Sequence, residues 1–184
     1  MSRVPRLTPD QLDADQRRVY EAITAGSRAG GPQHFRLTDD EGRLAGPFNA
    51  MLLNPPIGDA LQRLGAAIRY EGRLSARARE IAILAVAAHW NCEFEQRAHE
   101  PVARHAGLGE TDLAALRDGG PLEFDVPEEA AALAVTRELL AHGDLDEDAY
   151  RASAGVLGAD KLFELTSLVG YYSLLALQLR VFAG

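Results

Sequence analysis

Apolar residues recur every three or four positions along most of this chain, and that spacing predicts helices almost throughout. Thr8-Pro9-Asp10-Gln11 reads as a helix start: Thr8 caps, Pro9 takes the first helical position and Gln11 completes a capping box. Leu12, Val19 and Ile23 then mark an amphipathic helix to about Ala25. Gly26 to Gly46 is a long polar loop with five glycines. Loops of that length either serve a function, here covering a pocket or a neighbouring subunit, or act as solvated linkers. Pro47 opens a short helix, and Asn54-Pro55-Pro56 breaks it. The next helix runs from Ile57 to about Arg69, with Ile57, Leu61, Leu64 and Ile68 as its apolar stripe.

Leu74 to Leu108 predicts two helices back to back. Ser75 is the expected N-cap of the first, with Ile81, Leu84, Ala85 and Ala88 on one stripe. Trp90-Asn91 is a short break. The second helix spans about Cys92 to Ala106 and stops at Gly107, which suits a left-handed C-cap. Further helices are expected over Glu110–Arg117, Pro127–Ala141, Asp146–Leu157 and Asp160–Phe182, stopped by Gly119, Gly143 and Gly158 where a glycine follows. No period-two alternation bounded by turn pairs is present. The expected class is all-α, a helical bundle organised around a central helical hairpin.

The final helix is apolar on most sides and must be covered on most sides. A chain of 184 residues, expected to form a single domain, offers limited cover, so a homo-oligomer is expected. A net charge of −8 without a basic patch argues against nucleic-acid binding. No run reaches the roughly 20 apolar residues that span a bilayer, and the N-terminal stretch lacks the apolar core of a signal peptide. The expectation is a cytoplasmic protein with no membrane partner. One cysteine excludes an internal disulfide framework and a CxxC pair.

Cys92, Glu95 and His99 lie at offsets of three, four and seven on the second helix of the hairpin, so they share a face. Arg77 and Glu80 sit on the first helix, which an antiparallel hairpin brings to the same place. A carboxylate held against an imidazole in a dry setting orients the ring and favours its charged form, which suits proton transfer near neutral pH. The same pair on a wet face would do no more than stabilise the helix slightly. Cys92 is a possible nucleophile or a small buried hydrophobe. Glu80 either joins the site or pairs with Arg77 or Arg97 on the surface. His34, His89, His105 and His142 have no partner assigned at helical spacing. Two ligand-type side chains fall short of a metal site, so no metal and no cofactor are expected.

The stretch REIAILAVAAHWNCEFEQRAHEPVARHAGL resembles the signature hairpin of the carboxymuconolactone decarboxylase family, whose superfamily includes the alkyl hydroperoxidase D-like proteins. GPFNAMLLNPPIGDALQRLGAAIRYEGRL and LVGYYSLLALQL resemble the decarboxylase branch, so the similarity runs from about Pro5 to Phe182. It implies an alkyl hydroperoxidase D-like all-helical fold assembled as trimers or hexamers. In the peroxidase branch a CxxC pair works with a histidine and a glutamate. Cys92, His99 and Glu80 match the first cysteine, the histidine and the glutamate, and Glu95 replaces the second cysteine. Without a resolving thiol, disulfide cycling is lost.

The resemblance therefore implies a cofactor-independent decarboxylase acting on a small organic acid, a carboxylated lactone of the 4-carboxymuconolactone type. His99 would donate the proton, Glu95 would tune it and Glu80 would tune or relay. Arg77 or Arg97 would bind a substrate carboxylate. The alternatives are a one-cysteine antioxidant protein using Cys92, or a non-catalytic helical oligomer that binds a small acid.

Overall fold

The computed structural model describes residues 3–26, 28, 30 and 35–182. Among them the regular structure is all helical, a short 3-10 turn and eight α-helices, with one isolated bridge between Thr38 and Leu44. The chain separates into two compact units, Met1–Glu71 with Leu174–Gly184, and Gly72–Ser173.

The first unit begins with the 3-10 turn Pro9–Gln11 and continues into α1 (Ala14–Thr24). This corrects the expectation of one helix from Thr8. Leu12 is extended, and Asp13 restarts the chain by accepting the N–H groups of Asp15 and Gln16 while Gln16 returns a bond to the Asp13 N–H. Two capping boxes in succession make two short helices. The loop that follows is tied down where it is described. Asp39 accepts from Arg43 and from two backbone N–H groups, and buried Arg28 donates to the side chain and carbonyl of Gln62.

Next come α2 (Pro47–Met51) and α3 (Pro55–Tyr70), which pack on each other. The buried face of α3 is Gly58, Gln62, Gly65 and Ile68, whereas Ile57 and Leu64 are exposed. The expected stripe is therefore displaced, and Gly58 supplies the reason. A Cβ there would lie 2.1 Å from the Met51 carbonyl oxygen, so α2 and α3 meet backbone to backbone at a residue with no side chain.

The second unit is built on the hairpin. In α4 (Ala76–His89), Ser75 caps by accepting the Ala78 N–H at 3.1 Å. The helix ends in a Schellman-type closure, with Asn91 left-handed (φ 48°) and the Cys92 N–H bonded to the Ala87 carbonyl. In α5 (Glu93–His105) the same closure recurs, with Gly107 at φ 95° and the Leu108 N–H on the Ala103 carbonyl. Both breaks expected between Leu74 and Leu108 are thus present.

α4 packs against α5, α6 (Glu110–Asp118) and α7 (Pro127–His142). Enclosed on several sides, it buries Ile81, Ile83, Leu84 and Val86 rather than one stripe. Each such side chain contributes roughly 1.5–3 kcal/mol. The helix buried nearly all round is therefore α4, over Ala78–Ala87 with Arg79 half-buried.

The last helix, α8 (Glu147–Phe182), has a non-helical residue, Gly158 (φ 76°, ψ 162°), where the sequence predicts a stop. Its residues from Leu174 onward belong to the first unit. Leu162, Leu165, Leu168 and Tyr172 are buried, but Phe163, Leu177 and Val181 are exposed. Among the described residues α8 is the one helix whose length and composition would suit a membrane span, unlike the expectation that no run reaches that length. Soluble core helices meet the same test.

Candidate functional site

The hairpin brings Glu80 of α4 and His99 of α5 together inside the second unit. Glu80 Oε2 lies 2.7 Å from His99 Nδ1, and both side chains are buried, at 4% and 3% exposure. An ionised carboxylate can only accept, so this contact places a proton on Nδ1. On the other edge of the ring, Nε2 lies 3.5 Å from Glu95 Oε2 and 3.4 Å from the Tyr172 hydroxyl. Both distances exceed those of a tight hydrogen bond. Tyr172 also stands edge-on to the imidazole, with centroids 5.3 Å apart and planes at 86°. Tyr171 meets Tyr172 in the same manner at 5.3 Å.

Each position has a local cause. Glu80 lies one helical turn into α4, behind the Ser75 cap, and is followed by the small and apolar run Ile81 to Ala88. His99 falls on the inner face of α5 with Glu95 and Ala98, while Glu93 and Arg97 face outward. Buried carboxylates and imidazoles are costly unless hydrogen-bonded, so the short Glu80–His99 bond holds the ring in one orientation. The result is an imidazole anchored at Nδ1 and loosely flanked at Nε2. That arrangement can hold a proton at Nε2 in surroundings screened from water. Glu80 and Glu95 address opposite ring nitrogens, so they cannot chelate one ion together with this ring. Among the described residues no cluster of three or more His, Cys, Asp or Glu is placed to hold a metal.

Cys92 is buried and occupies the N-cap position of α5. Arg77 is committed elsewhere: Nε donates to Glu129 at 3.0 Å, Nη2 to Asp112 at 3.3 Å, and Nη1 to the Gly107 carbonyl. Arg97 is exposed and pairs with Glu93 at 3.2 Å, one turn away on its own helix. Neither guanidinium bonds to Glu80, Glu95 or His99, so the structure does not bring the two expected carboxylate-binding arginines to the cluster. The tight partner of His99 is Glu80, across the hairpin, and the looser one is Glu95. His142 has a partner at helical spacing after all, Glu138 at 2.9 Å. His34 lies outside the described residues.

Sequence reasoning passed over Tyr172. It stands 73 residues from His99 on a helix read as apolar. The available signal was chemical: a tyrosine in a buried helix needs a partner for its hydroxyl.

Fold and site together define a class, an all-helical protein whose central hairpin buries a carboxylate–imidazole–carboxylate cluster. Residues 55–138 match the model of the carboxymuconolactone decarboxylase family. The match runs from the start of α3 through most of α7 and includes Glu80, Cys92, Glu95 and His99. It is shorter than the Pro5–Phe182 resemblance, and Tyr172 lies beyond it. No curated protein matches the chain.

Proposed function

We propose that this protein is a cofactor-independent decarboxylase of small carboxylated lactones, of the 4-carboxymuconolactone type, working as a homo-oligomer. The observation that carries the reading is the buried imidazole held tightly at Nδ1 by Glu80 and loosely at Nε2 by Glu95 and Tyr172. The match of residues 55–138 to the carboxymuconolactone decarboxylase family supports the general class of chemistry.

In such a substrate the departing carboxylate sits on a carbon conjugated through a C=C bond to the lactone carbonyl. The C–C bond breaks, CO2 leaves, and the electron pair spreads into the carbonyl as a dienolate. The protein has to hold the acid, stabilise the developing oxyanion and return one proton to carbon. His99 Nε2–H is the donor. Glu80 fixes the ring and balances the charge of the imidazolium. Glu95 flanks the same nitrogen, and the Tyr172 hydroxyl donates to the dienolate oxygen. Water restores the proton to His99 after product leaves.

Purified protein assayed for CO2 release from carboxylated lactones tests this directly. His99→Ala is expected to lose about 10²–10⁴-fold in kcat, the contribution of a general acid, while circular dichroism and assembly stay as in the parent. Cys92→Ser is expected to keep most of its activity. Undiminished turnover in folded His99→Ala would refute the proton-donor role. Collapse of turnover in Cys92→Ser would move the chemistry to the thiol.

A further inference from the structure

A second concavity lies in the same unit, away from the His99 cluster. It is a cleft of about 420 Å³ between the C-terminal turns of α4, α6 and α7, and none of its lining residues belongs to the cluster. Its volume falls in the range of small-ligand sites. Ala85, Ala88, Leu116 and Leu140 give it an apolar floor, and the small alanines leave the space open. Arg117, Arg137, His89, Asn91 and Asp118 form its polar rim.

Arg137 is the rim arginine without a carboxylate. In this unit Arg73, Arg77, Arg97, Arg104, Arg117 and Arg151 each pair with a carboxylate, and Arg79 donates to the Leu74 carbonyl. Arg137 is half-buried, and Nη2 donates to the Gly120 carbonyl at 2.6 Å. That contact fixes the guanidinium but brings it no counter-charge. A guanidinium stays charged, and a partly desolvated charge favours an anion that its remaining N–H groups can grip in two places. His89, on the rim, adds a ring nitrogen that bonds to no described residue.

The other rim charges limit what anion fits. Arg117 is already paired with Glu100, Asp118 is negative, and the helix C-termini add partial negative charge. Asp118 offsets Arg137, so the rim carries no net positive charge and the pull on an anion comes from the remaining N–H groups of Arg137 alone, which suits a single carboxylate better than phosphate or a dicarboxylate.

We propose that this cleft is a binding site for a small monocarboxylate with a compact apolar body, anchored by Arg137 and resting on the Ala85–Ala88–Leu140 floor. The site is independent of the decarboxylase reading. Benzoate is the probe, titrated into the full chain and followed by calorimetry and methyl NMR, with benzamide as its uncharged counterpart and inorganic phosphate as a bare anion.

Saturable benzoate binding is expected, with shifts at Ala85, Ala88 and Leu140. Benzamide and phosphate should bind at least about tenfold more weakly. Arg137→Gln should weaken benzoate by a similar factor and leave benzamide unchanged, and Arg137→Lys should fall between. Because Arg137 also holds Gly120, Ala88→Leu provides a second test that fills the floor without touching the guanidinium, and it should abolish binding. Benzoate binding no tighter than benzamide, survival of binding in both Arg137→Gln and Ala88→Leu, shifts confined to His99 and Tyr172, or no saturable binding to folded parent protein would each overturn the proposal.

Discussion

Glu138 and His142 lie four residues apart on α7, as Glu95 and His99 do on α5. By spacing alone the two pairs are the same motif. In the structure the α7 pair makes the closer contact, 2.9 Å against 3.5 Å, yet its side chains are 50% and 68% exposed. Water solvates both partners there, and the pair adds a few tenths of a kcal/mol to a helix. The α5 pair is buried, and its ring has turned toward a carboxylate on another helix, Glu80 at 2.7 Å. A good local pair on an exposed face is an end in itself. A poor local pair beside a strong cross-helix partner leaves one ring nitrogen anchored and the other loosely held. What separates them is the face each occupies: His99 is turned to α4, where Glu80 meets it, whereas Glu138 and His142 lie on an exposed side of α7 although α7 also packs on α4.

The largest contrast should appear when each histidine loses its nearest carboxylate. Glu80→Ala leaves a buried imidazole without its anchor and is expected to cost about 3 kcal/mol in urea unfolding, whereas Glu138→Ala should stay within about 0.5 kcal/mol. Glu80→Gln, which keeps the shape, should lower kcat for lactone decarboxylation at least about tenfold by removing the charge that balances the imidazolium, with Glu138→Gln unchanged. Equal effects of the two alanine substitutions would erase the distinction between the pairs. A Glu95→Gln loss larger than that of Glu80→Gln would return the orienting role to the i,i+4 partner.

A smaller effect separates the two sides of the His99 ring. Tyr172→Phe removes the hydroxyl beside Nε2 but retains the edge-on ring contact. Stability should change by no more than about 1 kcal/mol, the net worth of one hydrogen bond. Turnover should fall several-fold, with kcat affected more than KM because the hydroxyl is proposed to act on the dienolate oxygen. A variant with full kcat would confine Tyr172 to packing.

Legibility in the sequence follows the same divide between local and long-range contacts. The hairpin was readable because its signals are local: the Ser75 cap, the helical spacing of Glu95 and His99, and Gly107 as a stop. Glu80 could be placed near His99 because a hairpin imposes that proximity. Tyr172 and the engagements of Arg77 were out of reach. They depend on how α8, α6 and α7 register against α4 and α5, across sequence separations of 73, 35 and 52 residues. The stripe on α3 misled for the opposite reason. Close packing there follows the glycine side, where Gly58 admits the Met51 carbonyl, and not the side bearing the large apolar residues. The Glu138–His142 pair was as readable as Glu95–His99, and spacing alone ranks neither above the other.

The smallest predicted effect tests whether acid acts on the fold or on the site. Glu128 is largely covered beside the start of α4, and it accepts from Lys161 at 2.6 Å and from the Ser75 backbone N–H at 2.7 Å. Burial alone would raise its carboxyl, but the bonds from Lys161 and Ser75 outweigh that and hold it below its ordinary value of 4.5. A carboxyl lowered in the folded state contributes stability that is fully present above its unfolded value and is lost as pH falls through the folded one. The urea midpoint should therefore decline below about pH 4.5, and Glu128→Gln should flatten that decline by no more than about 1 kcal/mol. The same substitution should leave the acid limb of the pH–rate profile unmoved, because Glu128 touches neither His99 nor its carboxylates. If the two limbs shift together, the activity loss in acid belongs to the fold around Ser75, and the pH profile no longer reports on the buried imidazole.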